Sequence, residues 1–269
     1  MRAALLFSSG PIFRYFKEYI RSNQRVQDLF SNQGYLNEEA ATSSNNHRPI
    51  IAFDLDNTLV STTRIKTSQT NFTIYAFRDN LLNMKNMSYL TKGSTLPINI
   101  KKENLDMDSQ KKLSRSRCSI HVQIRPGAIN FIKEVSKIYE IFFFTSYLRE
   151  VAIEIIKIIS PEVNEDHILS KESCIFIDGY AVKDLTKLMD ITGPIEMTKV
   201  LLVDDVLGSG LFQPLNIVGV SSWEGETDDE VLEKDLLPLL IECGQYSNVV
   251  NALRNRENGL PLSLTIYNY

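Results

Sequence analysis

The chain has 269 residues, of which 43% are hydrophobic and 23% charged, and a formal net charge of −4. That length holds one large domain or two small ones around a sizeable core, and the composition is that of an ordinary globular protein. The acidic balance argues against nucleic acid as a direct partner. Three scattered cysteines, Cys118, Cys174 and Cys243, argue for a reducing intracellular compartment, and no apolar run reaches the roughly 18 residues of a transmembrane span.

Residues 1–27 carry Arg2, Arg14, Lys17, Arg21 and Arg25 against Glu18, with Ile12, Phe13, Phe16, Tyr19 and Ile20 at roughly helical spacing. This pattern fits an amphipathic helix docked on the domain, a membrane-surface helix or a mitochondrial presequence. Residues 31–48 are polar and rich in Asn and Ser, which reads as a linker. Residues 1–48 are therefore expected to be an N-terminal arm and linker, 49–256 the folded domain, and 257–269 a tail.

From residue 49 onward strand and helix patterns alternate. Ile50–Phe53 is a continuous apolar strand. Residues 62–121 break the alternation: they are Asn- and Lys-rich, and a structureless loop of that size is improbable in a compact domain. They are expected to form an inserted hairpin or small cap, with a disordered segment around 92–116. Pro126 opens a helix with Ile129, Phe131 or Ile132, Val135 and Ile138 on one face. Tyr139–Thr145 reads as a second buried strand. Leu148, Ala152, Ile155 and Ile159 stripe a helix that Pro161 stops. Cys174–Ile177 reads as a short strand containing a core cysteine, and Asp184–Met189 as a short helix. Val200–Val203 and Asn216–Val220 are further strands. Asp228–Leu240, limited by Pro238, and Tyr246–Arg254 read as helices.

Short apolar strands separated by amphipathic helices predict an α/β fold whose central parallel sheet is covered on both faces. Binding sites in such sheets lie at the carboxyl ends of the strands. That rule brings together Asp54 and Asp56, Thr145, the loop after Ile177, and Asp204-Asp205. Asp54 and Asp56, two apart on extended backbone, are expected to point the same way just past a strand. Neighbouring carboxylates repel unless a cation or a shared proton intervenes. Asp54, Asp56 and Asp205, with Asp204 behind, make an oxygen-only set suited to Mg²⁺. Thr58 and Thr145 offer hydroxyls, Thr145 immediately before a helix whose first amides favour an anion. Lys183 is a cation in a loop that can reach the same edge. One metal, one lysine and two hydroxyls suit phosphoryl transfer. His47, His121 and His167 show no ligand spacing, and Trp223 reads as packing.

These motifs resemble the haloacid-dehalogenase-type aspartate phosphatases and, within them, the RNA polymerase C-terminal-domain (CTD) phosphatases, including the small CTD phosphatases and Dullard. The resemblance runs over about 49–60 and 118–254. It rests on FDLDNTLV, IRPGAINFI, FFFTSYL, SKESCIF, VKDLTKL, LLVDD, FQPLNIVGVSSW and the DLLPLL and VVNALR segments. It implies a Rossmann-like core with a small β-hairpin cap at 62–121, and a Mg²⁺-dependent protein serine/threonine phosphatase acting on phosphoserine or phosphothreonine. Asp54 would be the nucleophile and Asp56 the acid and base. The metal would be held by Asp54, the Asp56 backbone carbonyl and Asp205, supported by Asp204. Thr58, Thr145 and Lys183 would hold the phosphoryl oxygens.

Three departures bear on that transfer. Asn57 stands where the family usually has Glu, and Asp205 replaces the Asn of the small CTD phosphatases. Val151-Ala152-Ile153 replaces aromatic and acidic residues near the substrate groove, which counts against CTD-peptide specificity. The rival reading is the branch of the family that serves as a presequence receptor in the mitochondrial inner membrane, favoured by the basic N-terminus. The missing span and the full catalytic set count against it. A third reading is a small-molecule phosphatase of the same superfamily. A nuclear or cytoplasmic location follows from the leading reading, a mitochondrial one from targeting by residues 1–27. No oligomeric state is implied.

Overall fold

The computed structural model describes residues 48–77, 117–177, 180–256, 260 and 264–265. In chain order the strands are β1 (Ile50–Phe53), β2 (Val60–Thr63), β3 (Phe72–Phe77), β4 (Arg117–Ile124), β5 (Glu140–Phe144), β6 (Ile168–Leu169), β7 (Ile175–Ile177), β8 (Tyr180–Val182), β9 (Val200–Asp204), β10 (Ile217–Val220) and β11 (Leu264–Thr265). The helices are α1 (Ala128–Val135), α2 (Arg149–Ile159), α3 (Met189–Thr192), α4 (Leu237–Cys243) and α5 (Val249–Arg254).

The central sheet has the order β11-β10-β9-β1-β5-β6. Its strands from β10 to β6 are parallel, and β11 closes one edge antiparallel. The period-two rule sorts the strand residues onto two faces. Ile51, Phe53, Ile141, Phe143, Leu201 and Val203 pack with residues of α1, α2, α4 and α5. Ile50, Ala52, Phe142, Phe144 and Leu202 pack on the other side with Leu185, Leu188 and Met197. Both faces are covered, which is why the central strands are apolar at consecutive positions. The expected α/β architecture is the observed one.

The insertion after β1 forms an antiparallel sheet of order β2-β4-β3. Its β3–β4 pair is the expected cap hairpin, widened by β2 on the far side of β4. The segment 92–116 and the arm before Arg48 lie outside the described residues. Arg48 itself donates to the carbonyls of Ser136, Ile138 (3.3 Å) and Tyr139 (2.9 Å), and so serves the carbonyl end of α1.

Several elements differ from expectation for physical reasons. Cys174–Ile177 is not a strand of the main sheet. Ile175–Ile177 pairs antiparallel with Tyr180–Val182 as a separate hairpin, and Cys174, half-buried, precedes it. The edge strand is β6, two residues long and too short to show a period. Ile129 faces outward, 47% exposed, because α1 starts at Ala128 and turns Phe131, Ile132 and Val135 inward. Gly127 enters that helix at φ 75°, a left-handed turn that glycine takes without strain. The segment expected as the helix Asp184–Met189 is a tight 3₁₀ turn, Leu185–Leu188, that runs into α3. Pro238 does not limit its helix. A π-helical turn, Val231–Leu236, precedes it, and Pro238 sits in the first turn of α4, where a missing N–H costs little. The tail contributes β11, whose Leu264 joins the core.

Candidate active site

Asp54 follows β1 directly, and its N–H donates to the Val203 carbonyl at 2.9 Å. The side chain therefore emerges at the carboxyl edge between β5 and β9. The chain then turns tightly: the Leu55 carbonyl accepts from the N–H groups of Thr58, Leu59 and Val60. Asn57 sits at φ 56°, a left-handed conformation that Asn tolerates better than most residues. Its N–H donates to the Val60 carbonyl at 2.7 Å, and its own carbonyl accepts from the Trp223 N–H at 2.8 Å. The departure from Glu at this position thus has a backbone rationale.

Lys183 is buried, and its Nζ donates to Asp54 Oδ1 and Asp204 Oδ2, both at 2.6 Å. It reaches this point because β8 ends at Val182 and the Lys183 N–H is tied to the Ser209 carbonyl at 2.8 Å. The next residue, Asp184, is also buried and accepts from the Thr186 N–H and hydroxyl and from Gln213 Nε2. Gln213 Oε1 in turn accepts from the Leu185 N–H at 2.9 Å, so the lysine loop is fixed from both sides.

Carboxylate oxygens of Asp54, Asp204 and Asp205 lie within 4.8 Å of one another. Burial pushes the Asp54 carboxyl well above its ordinary range; Lys183 opposes the shift, while Asp204 and Asp205 add to it. Burial, reinforced by Asp204, lifts Asp205 to about 6. Burial works against the charge on Lys183, but Asp204 and Asp54 outweigh it and raise the ammonium pKa. One ammonium thus faces three carboxylates. A hard divalent cation would balance that excess, and the donor set is oxygen only, so these residues fit Mg²⁺.

Asp56 is oriented differently. Its Oδ1 accepts from the Tyr147 hydroxyl, and Thr62 Oγ1 lies 3.4 Å from the same oxygen. Burial lifts its pKa to about 7, with the Tyr147 bond opposing and Asp205 adding to the shift. Its side chain is outside the acidic trio, which leaves its backbone carbonyl as the group for a metal. Thr58 Oγ1 accepts from the Asp205 N–H at 3.1 Å, and Thr145 Oγ1 from the Tyr147 N–H at 3.2 Å. Each hydroxyl spends a lone pair on the backbone and keeps its proton for an anion. Thr145 does not immediately precede a helix as expected: Ser146, Tyr147 and Leu148 intervene before α2 starts at Arg149.

Three contributors have no role assigned to them by the sequence. Tyr147 and Thr62 hold Asp56, and their hydroxyl oxygens are 2.9 Å apart. Arg125 is buried and forks onto Asp229 at 2.8 Å through Nε and the far guanidinium nitrogen. Its other terminal nitrogen donates to the carbonyls of Thr58 (3.0 Å) and Ser221 (3.1 Å), pinning the loop after β1. A hydroxyl-bearing aromatic two residues past Thr145 was the available signal for Tyr147. His121 bonds Thr73 and His167 stacks on Phe142, both away from the acids, and Trp223 is buried packing.

A parallel sheet with this acidic edge and an insertion directly after its first strand defines a haloacid-dehalogenase-type fold. The family model described as NLI interacting factor-like phosphatase matches residues 49–250, and the chain belongs to that family. Curated relatives include the mitochondrial import inner membrane translocase subunit TIM50 of Kluyveromyces lactis, 35% identical over 134 residues, covering 49% of this chain and 26% of that protein. The human carboxy-terminal domain RNA polymerase II polypeptide A small phosphatase 1 is 29% identical over 140 residues, covering 52% and 51%. The human CTD small phosphatase-like protein is 31% identical over 135 residues, covering 50% and 46%. The matched stretch is thus about a quarter to a half of each relative's length. Among the described residues no helix is long and apolar enough to cross a membrane.

Proposed function

We propose that residues 49–256, with the cap sheet, form a Mg²⁺-dependent protein serine/threonine phosphatase that works through an aspartyl-phosphate. The observation that carries this reading is the division of labour between Asp54 and Asp56. Asp54 is bonded to the Lys183 ammonium, which opposes the rise that burial gives its pKa; Asp56 is held by hydroxyls, and burial lifts its carboxyl to about 7. An Asp54 oxygen attacks phosphorus in line with the leaving oxygen, and Asp56 protonates that oxygen as its bond to phosphorus breaks. Asp56 then takes a proton from the water that splits the phospho-aspartate. Thr58, Thr145 and Lys183 hold the phosphoryl oxygens. Asp54, the Asp56 carbonyl and Asp205, backed by Asp204, would hold Mg²⁺, which when bound supplies charge neutralisation. The direct test is hydrolysis of p-nitrophenyl phosphate with Mg²⁺ and its loss in EDTA, followed by a panel of phosphoserine, phosphothreonine and phosphotyrosine peptides.

The substrate reading is a phosphoprotein, with the polymerase CTD as one candidate. Val151 and Ala152 are buried on the core side of α2 and Ile153 is half-buried against the core, so two of these three positions do not face a substrate here. A phosphoprotein other than the CTD is therefore favoured.

The acidic centre also makes a prediction about stability. A carboxyl whose pKa is higher in the folded than in the unfolded chain stabilises the fold only while protonated. For Asp56 and Asp205, raised from 3.8 to about 7 and about 6, that contribution is complete below about 4 and lost as pH rises through 6 to 7. In EDTA the Tm should drop by about 4 °C or more between pH 5 and pH 8. Adding Mg²⁺ at pH 8 should recover most of it. A Tm indifferent to Mg²⁺ at pH 8 would contradict the metal site.

A second reading follows from the match to the translocase subunit: the same fold serving as a binding module at the mitochondrial inner membrane. It predicts organelle targeting that depends on residues 1–27 and no phosphatase activity. Imaging the full chain with and without those residues separates the two.

A further inference from the structure

Asp56 is fixed by two hydroxyls from two different parts of the fold. Tyr147 lies in the loop between β5 and α2 of the core. Thr62 lies on β2, the strand that joins the cap sheet. The Tyr147 hydroxyl donates to Asp56 Oδ1. With its single proton committed there, its oxygen can only accept from Thr62 Oγ1, 2.9 Å away. The result is a directional chain from half-buried Thr62 through buried Tyr147 to half-buried Asp56, and such chains rigidify their members.

We infer that Tyr147, oriented by Thr62 of the cap sheet, is a positioning residue for leaving-group protonation and makes the site competent for alkyl phosphates such as phosphoserine. This rests on the phosphatase reading, with Asp56 as the proton donor. The Tyr147 hydroxyl donates to Oδ1, so the transferable proton belongs on Oδ2. In the first step that proton passes from Asp56 Oδ2 to the leaving oxygen as the phosphorus–oxygen bond breaks and the Asp54–phosphorus bond forms. A serine alkoxide is too basic to leave unprotonated, whereas p-nitrophenolate leaves readily without a proton. Aim at the leaving oxygen therefore matters far more for the first substrate than for the second.

The test compares kcat/KM for a phosphoserine peptide and for p-nitrophenyl phosphate in wild type, Tyr147→Phe and Thr62→Val. The ratio kcat/KM covers the steps up to leaving-group departure and excludes hydrolysis of the phospho-aspartate. Tyr147→Phe should lower kcat/KM about 10- to 100-fold more for the peptide than for the aryl ester. Thr62→Val should change it in the same sense by a smaller factor. Equal losses on both substrates would indicate a merely structural role and overturn the inference. A crystal structure of Tyr147→Phe supplies a readout independent of turnover. The Asp56 side chain should leave its position or adopt several, and an unmoved Asp56 would overturn the positioning role. A wild-type protein inactive on both substrates would instead count against the phosphatase reading, while the Asp56 comparison still decides the positioning.

Discussion

Asp54→Asn is expected to lower turnover of p-nitrophenyl phosphate by at least about a thousandfold while leaving the protein folded. A carboxamide cannot displace an alcohol from phosphorus, and Asp56 does not substitute for it, because its carboxyl is held by Tyr147 and Thr62 rather than beside Lys183. Folding should survive because Lys183 keeps its second partner, Asp204, at 2.6 Å. Removing one carboxylate also relieves the repulsion that, after burial, helps raise the Asp54 pKa. The metal-free Tm of the variant should therefore equal or exceed that of wild type, which separates lost chemistry from lost structure. Asp56→Asn provides the complementary result. It keeps the nucleophile and lacks the base for the second step, so an activated aryl phosphate should leave a covalent phosphoprotein, visible by intact mass and absent from Asp54→Asn. Hydrolysis at the wild-type rate by Asp54→Asn would eliminate the aspartyl-phosphate mechanism.

What the sequence disclosed and what it withheld follow from how local each signal is. Ile50–Phe53 followed by Asp54 and Asp56 was legible because an all-apolar run ending in acids is a feature of adjacent residues. The same holds for Val200–Val203 ahead of Asp204-Asp205. The strand-edge rule then joined them without any knowledge of contacts. Tyr147 escaped because its partner Asp56 is 91 residues away and the contact depends on the loop between β5 and α2. Arg125 stands in the IRPGAINFI motif without an evident role, because its partner Asp229 lies 104 residues on. The hairpin at Ile175–Val182 was misplaced because three apolar residues fit a sheet edge and a separate ribbon equally well. Its position nevertheless matters, since it is the hairpin that delivers Lys183 to the acids.

Arg125→Met should destabilise the protein by about 3–5 kcal/mol, the usual cost of stripping one partner from a buried ion pair. On a domain of this size that corresponds to a Tm lower by about 10 °C. The Arg125 side chain has no solvent exposure and that of Asp229 only 11%, so the carboxylate left behind has little water to turn to. The guanidinium also ties three segments together: the turn after β1 through the Thr58 carbonyl, the end of β10 through Ser221, and the approach to the π-helical turn through Asp229. Lysine cannot reproduce that fork, so Arg125→Lys should recover less than half of the loss. The double variant Arg125→Met with Asp229→Leu should recover part of the stability, because the stranded charge is gone. It should not reach wild type, because two carbonyls still lack a donor. Activity should fall beyond the population unfolded, since the Thr58 hydroxyl receives the Asp205 N–H and shares in holding the acidic edge. Urea titrations of the four proteins, read as midpoint and slope, check the energies. A midpoint unchanged in Arg125→Met would show that the buried fork adds nothing to the fold. Full recovery in the double variant would assign the whole cost to Asp229 and none to the carbonyls that Arg125 holds in place.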